Sequence, residues 1–219
     1  MDADDASIAV DPAGLGTDRV VSELRADRVL LRGWRADDLA PFATLNADLR
    51  VMEHFPAPLT RAESDTFVRE RIVPQFAECG FGLWAVEVPG VAPFIGFVGL
   101  SAPTFEAHFT PCVEIGWRLA APYWSRGYAT EAARVAVAFG FTRAGLQEIV
   151  SFTVPANHRS IAVMERLGMR YDGEFEHPKL ARDDPLRRHV LYRLSLRSLV
   201  RLAGARCLGR ARRVAACVR

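Results

Sequence analysis

Residues 112–133, CVEIGWRLAAPYWSRGYATEAA, constrain the fold more than any other segment of this 219-residue chain. Apolar residues that alternate as far as Leu119 predict a strand, and the alanine-rich run after Gly127 predicts a helix. The first amides of such a helix lack intrahelical acceptors and carry the positive end of its dipole. The loop at residues 124–130 is therefore suited to a phosphate, and Gly127 and Ala129 allow an anion to come close.

A second helix start lies in residues 157–169, NHRSIAVMERLGM. Asn157 and Ser160 are polar residues at its beginning, and Gly168 ends it. The same features are typical of an ordinary capped helix with an apolar packing face, so this segment alone does not indicate a ligand. If the strands before the two helices are parallel, both helix starts open at one edge of the sheet, where an elongated phosphate-bearing ligand could bind.

The rest of the pattern predicts a mixed α/β fold. Strands at 81–88 and 94–100 are separated by Pro89-Gly90 and should form a hairpin. Thr60 and Glu63 form a capping box before an amphipathic helix that ends at Gly80. We expect further strands at 29–34, 112–119, 148–154, 169–176 and 189–196, and further helices at 37–49, 127–144 and 157–167.

Charge is uneven along the chain, although the net charge is only +2. Residues 1–18 carry five Asp and no base, residues 195–219 carry seven Arg and no acid, and the part between them is neutral. We expect a disordered acidic segment at 1–22, one domain at 23–196 and an Arg-rich tail at 197–219, frayed or helical. A neutral domain lacks the charge excess of a nucleic-acid binder.

Other classes of protein are disfavoured by simple patterns. The four cysteines have no CxxC spacing, which argues against a disulfide framework or a zinc site. The sequence holds no run of 18 apolar residues and no apolar stretch after a basic start, so we expect neither a membrane span nor export. We therefore expect a cytoplasmic protein, monomeric or homodimeric.

Five segments in this order resemble a known family: RVLLRGW, GFGLWAVEV, FIGFVGL, residues 112–133 and residues 157–169. Over residues 25–195 the chain is similar to acyl-CoA N-acyltransferases of the GNAT superfamily, in the RimJ/RimL-like branch of ribosomal-protein-alanine acetyltransferases. The resemblance implies a mixed sheet of six or seven strands with about four helices, two central parallel strands that splay apart, and acetyl-CoA as co-substrate without a metal. Trp124 departs from the Arg or Gln that begins the pyrophosphate motif, which leaves the main chain of residues 126–130 as the contact.

The resemblance also implies a set of site residues. Catalysis is assigned to Glu114 and Ser160. Acceptor binding is assigned to His54, Phe55, Trp84 and His108, although these residues are equally typical of surface packing. Cofactor binding is assigned to Ile115, Trp117, Arg118, Leu119, Arg126, Gly127, Tyr128, Ala129, Thr130, Asn157, Ser160, Val163 and Arg166.

Direct acyl transfer to an amine needs a base for the ammonium and donors for the oxyanion. Glu114 lies in an apolar strand, where desolvation would raise its pKa toward that of a useful base. A buried glutamate paired with an arginine on a neighbouring strand is an equally good interpretation. Gly116 in mid-strand indicates a bulge that could free an amide for the carbonyl oxygen.

The position where many relatives carry a tyrosine acid is Met164, which has no proton to give. Ser160 is the nearest hydroxyl and our candidate for protonating the thiolate, with Tyr123 and Tyr128 as weaker candidates. Nothing near Cys112 in the sequence would activate it as a nucleophile.

We expect an acetyl-CoA-dependent N-acetyltransferase that acts on a primary amine such as a protein N-terminus. Two alternatives stay open. The same fold could acetylate a small amine such as an antibiotic, or the chain could be a catalytically silent acyl-CoA-binding regulator. A nucleotide-binding domain is disfavoured because there is neither a Walker lysine nor GxGxxG.

Overall fold

The computed structural model describes residues 21–197, so the predictions for the acidic segment and the Arg-rich tail lie outside the described residues. The chain forms two compact units. Of the described residues, the first unit contains 21–101 and Gly116–Ala136, and the second contains Ala102–Ile115 and 137–197. No helix within residues 21–197 has the length and apolar character needed to cross a membrane.

The first unit is built on antiparallel strands. β1 (Leu24–Arg25) pairs with β2 (Leu30–Arg32), β2 with β3 (Leu83–Val88), and β3 with β4 (Ala92–Ser101). Almost every residue of β3 and β4 is buried, which explains why both segments read as nearly continuous apolar runs. The predicted hairpin is confirmed.

The helices of the first unit come between β2 and β3 in the sequence. They are α1 (Leu39–Ala47), α2 (Leu49–Met52), α3 (Arg61–Phe67) and α4 (Val73–Cys79), with a π-helical turn at Val68–Ile72 between α3 and α4. The predicted capping box is confirmed: the Thr60 amide donates to the Glu63 carboxylate, and the Glu63 amide donates to the Thr60 hydroxyl. Gly80 ends α4 with φ +73°, as predicted.

Arg32 is a buried cation at the centre of the first unit, and it is fully neutralised. Its guanidinium donates two bonds to the Asp38 carboxylate at 2.7 and 2.8 Å and one to Glu87 at 2.8 Å. It also donates to the main-chain carbonyls of Gly33 and Pro93. These partners raise the pKa of Arg32 despite the opposing effect of burial.

Strand β5 (Glu114–Leu119) begins in the second unit and ends in the first. In the second unit the strand order is β5, β6 (Glu148–Thr153), β8 (Arg188–Ser195) and β7 (Arg170–Glu176). β5 and β6 are parallel, with Glu114 opposite Val150. The pairs β6–β8 and β7–β8 are antiparallel.

Two longer helices flank the later strands in the sequence. α5 (Tyr128–Thr142) follows β5, and α6 (His158–Arg166) follows β6. Asn157 is the N-cap of α6, and its side chain accepts a bond from the Ser160 amide at 3.2 Å, as the sequence predicts.

The mixed α/β class is confirmed, and two details differ from expectation. Residues 21–197 contain eight strands where six or seven were expected, because β1 has only two residues and shows no periodicity in the sequence. The helix expected at 37–49 ends at Ala47 and is followed by the separate helix α2, because Asp48 is extended and its side chain caps α2 by accepting from the Arg50 amide.

Gly96 in β4 allows β5 to approach closely. A Cβ atom at this position would lie 2.1 Å from the Arg118 carbonyl oxygen and 2.8 Å from the Leu119 Cα atom, both main-chain atoms of β5. The φ of Gly96 is also +134°, which L side chains rarely adopt. The approach is reinforced just past β5, where the Ala120 amide donates to the Ile95 carbonyl at 2.9 Å.

We predict that Gly96→Ala lowers the free energy of unfolding by about 3 kcal/mol or more, because β5 must move away from β4. Chemical denaturation of both proteins measures the difference. Gly90→Ala is the matched control: Gly90 also has a positive φ, +75°, but no atom lies within 4 Å of its added Cβ, so it should lose only about 1 kcal/mol. Equal losses in the two variants would contradict this account.

Candidate active site

The loop at residues 124–130 lies in the first unit and prepares the start of α5. The Trp124 indole donates to the Leu119 carbonyl at 2.7 Å, which ties the loop to the end of β5. Ser125 has φ +59° and Gly127 has φ +84°. The Glu131 amide donates to the Gly127 carbonyl, so the three amides before it have no acceptor in the preceding turn of the helix. These donors are what an anion at a helix start requires.

Contacts of Arg28 hold the start of α5, and they were not predicted from the sequence. The Arg28 main-chain amide and side-chain Nε both donate to the Glu131 carboxylate, at 2.6 and 2.8 Å. The same guanidinium donates to the Arg126 carbonyl at 3.1 Å and lies 5.1 Å from the centre of the Tyr128 ring. Arg28 and Glu131 are 103 residues apart, and no local pattern links them.

Glycine is favoured at position 127 by the backbone conformation and by the nearness of Arg28. A Cβ atom at Gly127 would lie 3.3 Å from Arg28 Nη2, and the positive φ is strained for any other residue. The open main chain at Gly127 and the amide donors that follow fit a pyrophosphate group.

Glu114 lies in the second unit, opposite Val150 on β6. The surrounding main chain is held by two bonds: the Val150 amide donates to the Val113 carbonyl, and the Ser151 hydroxyl donates to the Ile115 carbonyl, both at 2.9 Å. Burial raises the pKa of Glu114 to about 8.

The alternative interpretation of Glu114 as half of a buried ion pair finds no support among residues 21–197, where the carboxylate has no ion pair. Arg193, the arginine on the nearby strand β8, instead bridges Glu148 and Asp172. Glu114 is therefore available to exchange a proton.

Cys112 is close to Glu114 in the chain and has the opposite character to an activated thiol. Burial and the charge of Glu114 raise the pKa of Cys112 to about 11. Because the thiolate is the nucleophile, this cysteine is protonated and unreactive at neutral pH. The expectation that Cys112 forms no acyl-enzyme agrees with this environment.

The start of α6 presents the predicted polar pair. Asn157 caps the helix through its Oδ1 atom, and its Nδ2 atom donates to the Thr153 hydroxyl at 3.0 Å. Ser160 is partly exposed, whereas Val163 and Met164 are buried on the packing face. Met164, the residue that the resemblance places at the position of the tyrosine acid, is 1% exposed, and its role stays a prediction.

The four predicted acceptor residues have different environments. His54 is partly exposed, 3.9 Å from the Glu53 carboxylate, and Phe55 is 36% exposed. His108 is exposed beside the Phe109 ring. Trp84 is fully buried, and its indole donates to the Ser22 carbonyl. A side chain with no exposed surface cannot reach an acceptor without moving, so this placement argues against Trp84.

The remaining residues predicted to bind the cofactor divide by exposure, and their roles stay predictions. Those on the surface or partly exposed are Trp117, Arg118, Arg126, Gly127, Ala129 and Arg166, and those that are buried are Ile115, Leu119, Tyr128 and Thr130.

Comparison with known proteins decides the family. Residues 28–170 match the family model described as an acetyltransferase (GNAT) domain. The chain belongs to the GNAT acetyltransferase family. This GNAT protein is accordingly an acyltransferase, and the resemblance to the GNAT superfamily inferred from its motifs is confirmed.

Relatives and solved structures agree with that membership. The uncharacterized protein YkkB of Bacillus subtilis is 31% identical over 153 residues, which is 68% of this chain and 86% of that protein. The acetyltransferase structure from Agrobacterium tumefaciens is 27% identical with a TM-score of 0.65, covering 82% of this chain and 97% of that one. Mycobacterium smegmatis RimJ in complex with CoA-disulfide has the same fold, with 22% identity, a TM-score of 0.64 and coverage of 84% and 93%.

We predict that the stability of the protein falls between pH 5 and pH 8 because of Glu114. The native pKa is raised to about 8, so the folded state keeps a proton that the unfolded chain has already released, and rising pH favours unfolding. Glu114→Gln cannot ionise and should flatten this decline, measured by urea denaturation across that pH range. Glu106→Gln, an exposed glutamate of the same unit, is the control. Parallel curves for wild type and E114Q would contradict the assignment.

Proposed function

We propose that this GNAT protein transfers the acetyl group of acetyl-CoA directly to a primary amine, with Glu114 as the general base. The proposal rests on the environment of the Glu114 carboxylate. Burial raises its pKa to about 8, and it has no ion pair within residues 21–197. A base with a pKa near the working pH is suited to removing a proton from an ammonium group.

The co-substrate is proposed from the loop at residues 124–130 together with family membership. Amide donors at the start of α5, and the lack of a Cβ at Gly127, suit a pyrophosphate. RimJ from M. smegmatis, which shares the fold, was solved with CoA-disulfide. When bound, acetyl-CoA supplies a thioester, which is reactive toward a neutral amine.

The acetyl group is transferred to the amine in one step, without a covalent intermediate on the protein. The amine nitrogen forms a bond to the acetyl carbon, the carbon–sulfur bond breaks, and Glu114 takes the proton that the nitrogen loses. The departing thiolate takes a proton from solvent water that the Ser160 hydroxyl orients, and Glu114 returns its proton to solvent before the next turnover. Direct transfer agrees with Cys112, whose raised pKa keeps the thiol protonated and makes a covalent acyl-enzyme unfavourable.

The acceptor that we propose is a protein N-terminus or a small primary amine. Similarity to RimJ-like folds supports the first, and the neutral charge of residues 19–194 gives no steering field that would favour either. A catalytically silent acyl-CoA binder is favoured by one observation only, the buried Met164. Release of CoA thiol across N-terminal peptides and small amines distinguishes an enzyme from a silent binder.

We predict that Gly127→Ala weakens acetyl-CoA binding about tenfold or more, because the new Cβ strains the loop and meets Arg28. Isothermal titration calorimetry measures the dissociation constant. Gly145→Ala is the matched control, since Gly145 follows the other end of α5 with φ +69° and has open space around it. A dissociation constant that rises equally in both variants would count against the loop as the pyrophosphate site.

We predict that Glu114→Gln lowers kcat by about 10²- to 10⁴-fold while acetyl-CoA binding is kept. The base is the ionised form of Glu114, so kcat/KM of the wild type should rise with pH through about 8, and E114Q should lose this part of the profile. Glu106→Gln should keep the wild-type profile. An unchanged profile in E114Q, or loss of acetyl-CoA binding, would show that Glu114 is structural.

A further inference from the structure

Arg118 is a partly buried cation of the first unit, and it has no charged partner within residues 21–197. Its Nη1 atom donates to the Asn46 Oδ1 atom at 2.7 Å, and the guanidinium lies 4.1 Å from the centre of the Phe55 ring and 5.5 Å from that of Phe97. The buried Nε atom has no hydrogen-bond partner, the only such side-chain atom recorded within residues 21–197. Burial lowers the pKa of Arg118 to about 10, so the group stays positive at neutral pH.

Arg32 of the same unit is a buried arginine with a structural role, and its environment differs from that of Arg118. Arg32 is neutralised by Asp38 and Glu87, and its pKa is raised. Arg118 has a neutral amide and two aromatic rings in place of carboxylates. An unpaired buried charge costs free energy, and a bound anion would remove that cost.

The donors of Arg118 that remain indicate which anion fits. Asn46 occupies Nη1, while Nε has no partner and no hydrogen bond is recorded for Nη2. These two atoms form one edge of the guanidinium, which presents two parallel N–H donors. Carboxylates match that spacing with both oxygens, so the open edge is suited to a carboxylate.

The guanidinium is held in place by buried groups. Asn46 and Ser64 have no exposed surface, and the Asn46 Nδ2 atom donates to the Ser64 hydroxyl at 2.8 Å. This bond directs Asn46 Oδ1 toward Arg118. Because the Nε atom is shielded from solvent, a carboxylate must displace a covering group, and Phe55 is the exposed side chain in contact with the guanidinium.

We propose that the side chain of Arg118 binds a carboxylate group of the acceptor, so that the preferred acceptors are amines that also carry a carboxylate. This inference rests on the proposed acetyl transfer. The anion is assigned to the acceptor because the Arg118 guanidinium lies 4.1 Å from the centre of the ring of Phe55, a residue predicted to bind the acceptor. Arg118 is thus a specificity residue through its side chain, in addition to its predicted place among the cofactor contacts.

The test compares acceptors that differ only in the carboxylate. Dipeptides and ω-amino acids are each paired with the corresponding amide, and kcat/KM is measured by release of CoA thiol for wild type, Arg118→Met and Arg69→Met. Arg69 is an exposed arginine of the first unit, so R69M removes the same charge from the surface. Thermal stabilisation of each protein by the same acids and amides reports binding without turnover.

We expect the wild type and R69M to favour the acid over the amide about tenfold or more in kcat/KM at saturating acetyl-CoA, and R118M to lose this preference under the same conditions. If R118M does not fold, Arg118→Lys, which keeps the charge without the two-donor edge, should lose most of the preference. No preference in the wild type, or a preference that persists in the variant while the KM for acetyl-CoA rises, would overturn the proposal.

Failure of the proposed function gives a different result. If no acceptor releases CoA thiol but the acids still stabilise the wild type and not R118M, the carboxylate site stands while the acetyl transfer does not. If the acids and amides stabilise the wild type equally, the carboxylate site is overturned whatever the turnover.

Discussion

Desolvation of two ionisable side chains on strand β5 is the constraint on which the account of this protein depends. Burial raises the pKa of Glu114 to about 8 and lowers that of Arg118 to about 10, and neither group has an ion pair among residues 21–197. Each therefore pays for burial without the compensation that Arg32 receives from Asp38 and Glu87. Unpaired charges of this kind are typical of functional sites, where a substrate completes them.

Strand β5 is held in place by contacts of its main chain. Gly96 lets β4 approach the main chain of β5 so closely that a Cβ would collide with the Arg118 carbonyl. In the second unit, the Ser151 hydroxyl and the Val150 amide bind the main chain on either side of Glu114. Main-chain contacts thus fix the strand, and among the described residues the side chains of Glu114 and Arg118 have no partner of opposite charge.

Local sequence patterns correctly predicted those features of the fold that depend on residues close together in the chain. The capping box at Thr60, the cap at Asn157 and the loop before α5 are set by residues within a few positions of one another, and all three are found as predicted. Contacts between distant residues were not predictable. Arg28 and Glu131 are 103 positions apart, and the buried environment of Trp84 depends on how β3 packs, which no local period encodes.

Glu114 holds a proton at a pH where an ordinary glutamate is ionised, and its proposed role as the base depends on this property. Direct titration of its side-chain carboxyl carbon by ¹³C NMR, assigned by comparison with a Glu114→Gln sample, measures this without reference to turnover or stability. We expect a midpoint near pH 8, in agreement with the raised pKa. A midpoint near 4.5, the usual value for glutamate, would show that the carboxylate is solvated or paired, and the role of Glu114 as the base would then have to be abandoned.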